Sequence, residues 1–70
     1  MRAEFRVHLL NEDGIKKAVV LAEILESALD QIENICGHDG REMAIVRTKM
    51  EEASFFAKKS MASRVENQKS

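Results

Sequence analysis

The feature that most restricts the fold is one Gly-His-Asp-Gly cluster, residues 37–40, which divides a chain of 70 residues that contains no proline. Glycine clusters mark turns, and segments without proline can continue as long helices. Asn11 is placed to cap the first segment, and Glu12 and Asp13 follow it at the positive end of the helix dipole. We therefore predict helices over 11–36 and 41–62, joined as an antiparallel two-helix hairpin of the all-α class.

Apolar residues at alternating steps of three and four support both helices and predict the seam between them. Small residues in the seam would let the helix backbones approach, and Cys36 is interpreted as a buried small hydrophobe. Asp39 and Glu42 fit a capping box for the second helix. Gly14 is expected to weaken the start of the first helix slightly. The predicted seam consists of Ile15, Ala18, Ala22, Leu25, Leu29, Ile32 and Cys36, facing Met43, Val46, Met50, Ala53, Ala57 and Ser60.

The ends of the chain differ from the helical segments. Phe5, Val7 and Leu9 alternate with polar residues, which predicts a short extended arm over 1–10. A lone strand is not stable, so we expect this arm to pair with another copy of the chain. Residues 63–70 are polar without periodicity and predict a frayed tail. Arm, hairpin and tail together are expected to form one small domain, residues 1–70.

Small size favours self-association. A chain this short leaves much of its surface exposed, a single cysteine cannot form an internal disulfide, and no Cys/His cluster has zinc spacing. One seam also covers too few of the apolar residues, which favours a homo-oligomer of hairpins. The alternative is a monomer in which these residues are simply exposed. The uncovered residues are Val19, Val20, Ile24, Ile45, Phe55 and Phe56.

Composition excludes several functional classes. A net charge of −1 argues against capture of DNA or RNA by charge alone. No apolar run is long enough to cross a bilayer and nothing resembles a signal peptide, so we expect a soluble protein in a reducing compartment. His8 and His38 have no acidic residue placed to orient them, and Glu51-Glu52 fits a solvated helix face. We predict no catalytic residue, no metal and no cofactor.

A candidate anion site begins at Arg41, in the first turn of the second helix. A cation is disfavoured there unless an anion lies between the guanidinium and the helix N-terminus. The alternatives are a solvated arginine or a salt bridge, either to Asp39 or to a neighbouring chain. Thr48 lies two turns further along the same face and either contacts a ligand or bonds back to its own helix. Lys16, Lys17, Arg47 and Lys49 are further candidates for phosphate contacts; the alternative is that they are surface charges that keep the protein soluble.

The stretch 41–62 resembles the second helix of the phage cyclic-nucleotide sponge family, the anti-CBASS and anti-Thoeris hairpin proteins. The matching positions are Arg41-Glu42, Thr48-Lys49, Glu51-Glu52, Ala53 and Phe55-Phe56, and the first helix matches more loosely through Lys17-Ala18 and Leu21-Ala22. The resemblance implies a hairpin that forms dimers and hexamers, as a trimer of dimers, in the cytoplasm of the infected bacterium. It further implies binding of cyclic di- and trinucleotides, or of cyclised ADP-ribose signals, without cleavage.

The resemblance also assigns residues. Arg41 matches an arginine that meets trinucleotide phosphates near a threefold axis. The family's dinucleotide site uses a tyrosine of the N-terminal segment, but this chain has no Tyr, and His8 or Phe5 is the nearest planar side chain. Lys17 is the nearest lysine for the phosphate, and Arg47 is a further candidate. Two other readings stay open: an adaptor or antitoxin-like interaction module, supported by the seams and Phe55-Phe56, and a weak DNA-binding accessory, which the charge disfavours.

Overall fold

A computed structural model describes residues 9–69 as a helical hairpin with a closing tail. Helix α1 spans Glu12–Cys36, helix α2 spans Arg41–Ala62, and a short 3-10 helix spans Val65–Asn67. The described chain measures 44 × 25 × 11 Å, so it forms a thin slab. The prediction of an all-α hairpin is confirmed: α2 has the predicted limits, and α1 begins one residue after its predicted start because Asn11 is its cap.

The two helices start differently. The Asn11 side chain caps α1 as predicted, because its Oδ1 accepts a hydrogen bond from the Gly14 N–H at 2.8 Å. The residue that precedes α2 is Gly40, which provides no side-chain hydrogen bond, so the predicted capping box of Asp39 and Glu42 is wrong. Gly37 and Gly40 have φ values of 85° and 111°. L side chains rarely adopt that region, which explains the glycines on both sides of the turn.

The predicted seam holds for most of its residues and fails at both ends of α1 and in the second half of α2. Gly14, Ser54 and Met61 are less exposed than the predicted residues beside them. The prediction assumed 3.5 residues per turn, whereas a straight helix has 3.6, so the buried row drifts by one position over several turns. The predicted seam residues that are exposed are Ile15, Cys36, Ala53 and Ser60. The interpretation of Cys36 as a buried hydrophobe is therefore wrong.

Little of the apolar surface is buried within the described chain. Met43 and Met61, near the two ends of α2, are its buried large apolar side chains, at 4% and 9% exposure. The residues predicted to lie outside the seam are indeed exposed, from 48% for Ile45 to 61% for Phe55. Assembly of several copies over these residues stays a prediction.

The tail is ordered against the start of α1, so the prediction that residues 63–70 are frayed is wrong for the described part. The Asn11 N–H donates to the Asn67 carbonyl and the Lys69 N–H to the Leu9 carbonyl, each at 2.9 Å. Leu10 and Gln68 form an isolated antiparallel β-bridge. The described end of the predicted arm therefore pairs with its own chain rather than with another copy. Residues 1–8 lie outside the described part.

Gly14 is the point of closest approach between α1 and the tail. A Cβ atom placed there would lie 2.5 Å from the Asn67 carbonyl oxygen and 3.0 Å from the Leu10 Cβ. Real Cβ atoms do not make contacts of 2.5 Å, so only glycine fits without moving the tail. Gly14 is thus required by the packing of the tail and is more than a weak start to the helix.

Candidate functional site

A groove lies between α1, α2 and the tail at the end of the hairpin opposite the turn. Its floor is apolar and consists of Val20, Leu21, Ala57 and Met61, and its volume is about 550 Å³. This volume lies within the range of small-molecule sites in proteins, roughly 300–1,000 Å³. The groove is open along one side, so a flat, partly apolar ligand could lie across the floor.

Three cationic side chains, Lys16, Lys17 and Arg64, border the groove. Lys16 has no hydrogen bond or ion pair with any residue in 9–69, and Arg64 pairs through its Nε with Glu66 Oε1 at 2.9 Å. Both Arg64 and Glu66 are largely exposed, so this pair exchanges readily with solvent or with another anion. The groove therefore presents more positive than negative charge around an apolar floor.

The tail holds Lys17 in this groove. The Lys17 Nζ donates to Asn67 Oδ1. Asn67 itself is 1% exposed, and its Nδ2 donates to the Met61 carbonyl at 2.9 Å. A buried amide with both of its polar atoms engaged has a defined orientation. The sequence prediction of Lys17 as a binding residue thus falls on a lysine that is oriented at the groove.

The carboxyl group of Glu66 is influenced by the same cations. The hydrogen bond from Arg64 lowers the pKa of Glu66 below 4.5, with smaller lowering effects from its backbone hydrogen bond and from the charge of Lys17. Glu66 therefore carries a negative charge at neutral pH and competes with any anionic ligand for Arg64.

A second candidate lies at the turn. Arg41 is the first residue of α2 and is exposed, and it makes no hydrogen bond or ion pair within residues 9–69. Ile45 and Thr48 follow on the same exposed face of α2. The Thr48 hydroxyl donates to the Ala44 carbonyl at 3.1 Å, which is the bond back to its own helix that the sequence left open. Arg41 is accordingly the side chain on this face that is available to an anion.

Arg47 is engaged within the chain. Its Nε and Nη2 donate to Glu33 Oε2 at 3.1 and 2.9 Å, and Nη2 also donates to the His38 carbonyl. This contact joins α1, the turn and α2. His38 Nδ1 lies 3.3 Å from the same carboxylate oxygen, so the expectation that no acidic residue orients His38 is wrong. Arg47 stabilises the turn and would have to leave Glu33 to contact a phosphate.

The predicted site residues do not form one cluster. Lys17 lies at the groove, whereas Arg41, Thr48 and Arg47 lie towards the turn, at the other end of the hairpin. His8 and Phe5 lie outside the described residues. Sequence reasoning missed Arg64 and Asn67 because both belong to a segment without periodicity. Nearly every residue of 63–69 is polar, so no pattern distinguishes Arg64 and Asn67 from their neighbours.

Comparisons with known proteins add no relatives. No protein-family model, curated protein or solved structure matches this chain. Neither described helix combines the length and apolar character needed to span a bilayer. Among residues 9–69, no three His, Cys, Asp or Glu side chains are grouped as metal ligands. The site must therefore be interpreted from its own geometry.

Proposed function

We propose that this chain is a non-enzymatic binding protein that assembles as a homo-oligomer and sequesters cyclic di- or trinucleotides. By lowering the free concentration of such signals, it would counter a bacterial CBASS-type antiphage defence from within the infected cytoplasm. The observation that carries the proposal is the groove, where an apolar floor is bordered by Lys16, Lys17 and Arg64. A cyclic dinucleotide combines the matching properties, because its bases have flat apolar faces and its phosphates are anionic.

The groove supplies two kinds of contact. The floor of Val20, Leu21 and Ala57 can lie against a base, and the neighbouring cations can donate charge-assisted hydrogen bonds to phosphate oxygens. Lysine and arginine contacts with phosphate provide affinity, whereas enclosure of a base provides selectivity. These contacts would bind a cyclic nucleotide without cleaving it, as a sponge requires.

Arg41 provides the proposed second site. In an oligomer with a threefold axis near the turn, three copies of Arg41 would converge on one ring of three phosphates. Each copy is exposed and without an intrachain partner in residues 9–69, so clustering them requires a counter-anion. This arrangement suits a cyclic trinucleotide better than a linear one, since the three phosphates must face one axis.

The test uses calorimetric titration of the full chain with cyclic di- and trinucleotides. We expect Lys16→Met to weaken dinucleotide binding by about tenfold, the value for one charge-assisted hydrogen bond. Lys49→Met is the matched control, because Lys49 is an exposed lysine of α2 that does not line the groove. We expect Arg41→Ala to abolish trinucleotide binding without changing the oligomeric mass.

The same samples decide between sponge and enzyme. The bound nucleotide should be recovered intact after heat denaturation of the protein. Linear products would show cleavage and would exclude the sponge. Equal affinity of the Lys16→Met and Lys49→Met proteins for the cyclic dinucleotide would show that the groove is not its binding site. Unchanged trinucleotide binding by Arg41→Ala would show that Arg41 does not form the second site.

An interaction module without a nucleotide ligand is the second candidate. The observation in its favour is the pair Phe55 and Phe56, which are 61% and 60% exposed with ring centroids 5.3 Å apart. Exposed aromatic side chains are typical anchors of protein interfaces. Failure of every cyclic nucleotide to bind the wild-type chain would favour this candidate.

A further inference from the structure

Two of the three aspartates in the chain are followed directly by glycine, in the pairs Asp13-Gly14 and Asp39-Gly40. In such a pair the backbone nitrogen of the glycine can attack the side-chain carboxyl carbon of the aspartate, because glycine has no Cβ to obstruct the approach. The product is isoaspartate, in which the backbone runs through the aspartate side chain. Both pairs have the same intrinsic chemistry, so their surroundings decide which of them reacts.

The first pair lies in the first turn of α1 and is restrained by a hydrogen bond and by packing. The Gly14 N–H donates to Asn11 Oδ1 at 2.8 Å, so the nitrogen that would attack is engaged in the helix cap. Gly14 is also buried, and a Cβ there would lie 2.5 Å from the Asn67 carbonyl oxygen, so its backbone has no room to rotate. Attack on Asp13 therefore requires the start of α1 to open first.

The second pair lies in the turn between the helices and lacks these restraints. Asp39 and Gly40 are both exposed. Within residues 9–69 the Asp39 side chain makes no hydrogen bond or ion pair, and the Gly40 N–H has no acceptor. A Cβ built on Gly40 would meet nothing within 4 Å, so the space around its backbone is open. The φ of 111° favours glycine at this position, so the same turn that needs Gly40 places the least hindered attacking group after Asp39.

We infer that Asp39 is a site of spontaneous modification, at which the folded chain converts to isoaspartate. In the first step the Gly40 nitrogen bonds to the side-chain carboxyl carbon of Asp39. The hydroxyl of the protonated carboxyl group leaves with the amide proton as one water molecule, and a five-membered succinimide ring forms. In the second step one water molecule adds to a ring carbonyl. Opening at the side-chain carbonyl restores aspartate, and opening at the backbone carbonyl gives isoaspartate, so water is the only co-reactant.

The product changes the connection between α1 and α2, because isoaspartate adds one carbon to the backbone between His38 and Gly40. His38 is held on one side of the insertion: its carbonyl accepts from Arg47 Nη2, and its Nδ1 lies 3.3 Å from Glu33 Oε2. Gly40 is held on the other side, since its carbonyl accepts from the Ala44 N–H at 3.1 Å. The added carbon must displace at least one of these contacts, so the modified turn is less stable.

The inference goes beyond the proposed function and does not depend on it. Arg41, the candidate for the second nucleotide site, directly follows Gly40, so a displaced start of α2 would also displace Arg41. The reaction itself needs neither a nucleotide nor a second copy of the chain, and its test contains no ligand. Failure of the chain to bind any cyclic nucleotide would refute the proposed function and leave the modification of Asp39 unaffected.

The experiment incubates the full chain in neutral buffer for several weeks and locates isoaspartate by tryptic digestion and mass spectrometry. Cleavage after lysine and arginine places Asp13 in peptide 7–16 and Asp39 in peptide 18–41, so the two sites are measured separately. We expect isoaspartate to form at Asp39 at least about fivefold faster than at Asp13, the factor that corresponds to a helix cap of ordinary strength. Equal rates at the two sites, or no isoaspartate at Asp39, would overturn the inference.

The unfolded chain tests whether the fold makes the selection. In concentrated guanidinium chloride the cap and the packing around Gly14 are lost, so the two Asp-Gly pairs should react at equal rates. A preference for Asp39 that persists in denaturant would assign the selection to neighbouring residues in the sequence and would contradict the role given to the fold.

Asp39→Glu blocks the reaction and keeps the negative charge, because a glutamate side chain would have to close a six-membered ring, which forms much more slowly. It should remove almost all of the isoaspartate, whereas the matched control Asp13→Glu should remove almost none. Before incubation, Asp39→Glu and the wild type should unfold at the same temperature. After incubation the wild type should unfold at the lower temperature, and equal values would contradict the effect of the modification on the turn.

Discussion

The two ends of the hairpin are held together by different physical means. At the tail end, the main contacts are hydrogen bonds around the buried Asn67, and they join segments 50 or more residues apart. At the turn, the main contact is the charged group of half-buried Glu33 and Arg47 with exposed His38, and it joins residues no more than 14 positions apart. Close packing therefore stabilises the tail end, whereas interactions between charged groups stabilise the turn. Substitution should therefore disturb the tail end more, and pH and salt the turn.

The largest expected effect is that of Gly14→Ala. The new methyl group would overlap the Asn67 carbonyl, so the tail must move and the backbone hydrogen bond from Asn11 is lost. We expect a loss of about 3 kcal/mol in the free energy of unfolding, the upper range for overpacking. Urea denaturation measures it. An exposed helical site such as Asn34→Ala is the control and should be neutral or slightly stabilising, as alanine usually is in a helix.

Asn67→Ala should have the next largest effect. It removes the buried hydrogen bond from Asn67 Nδ2 to the Met61 carbonyl, which then keeps the bond from the Arg64 N–H, and it releases Lys17. A loss of about 2 kcal/mol is expected for these two side-chain hydrogen bonds, at roughly 1 kcal/mol each. Gln68→Ala is the matched control, because the Gln68 side chain makes a similar bond to the Ala62 carbonyl but is only half-buried. Equal losses in the two variants would contradict the assignment of Asn67 as the centre of the tail contact.

A comparison of the two helix starts gives a smaller effect. Asn11→Ala removes the α1 cap, which is expected to cost about 1 kcal/mol, and with it the hydrogen bonds from Asn11 Nδ2 to the Glu66 and Gln68 carbonyls. Asp39→Ala should cost almost nothing, because Asp39 does not cap α2. Thermal unfolding followed by circular dichroism would compare the pair. A large loss of stability in Asp39→Ala would contradict this, because it would show that Asp39 caps α2 as the sequence predicted.

The smallest effect is electrostatic and depends on pH. The hydrogen bond from Arg47 is the main cause that lowers the pKa of Glu33 below 4.5, and His38 contributes further. A lowered native pKa adds stability above the unfolded pKa, and this stability is lost as pH falls through the native value. Glu33→Gln should therefore be less stable than the wild type at neutral pH and equal to it in strong acid. At 1 M salt the difference should shrink, unlike that of Asn67→Ala.

The sequence was sufficient to predict the helices but not the contacts at either end. Helix limits follow from local signals such as Asn11 and the glycines at 37 and 40, which act on neighbouring residues. The predicted seam departs from the observed row of less exposed residues, because the assumed period differs slightly from that of a straight helix. The contact of Gly14 with Asn67 spans almost the whole chain and depends on tertiary packing, so no local pattern indicates it. Of the predicted site, Arg41 and Lys17 are accessible, while Arg47 is engaged by a glutamate fourteen positions away.

The bond between Leu9 and Lys69 has a consequence for protein engineering. This backbone hydrogen bond places the Lys69 nitrogen next to the Leu9 carbonyl oxygen. A short linker between these two residues should therefore close the backbone into a ring. New termini could then be opened within the exposed turn at 38–39, giving a circular permutant in which α2 precedes α1. Such a rearranged chain would carry the tail in its interior and would offer reporter proteins an attachment point far from the Lys17 groove.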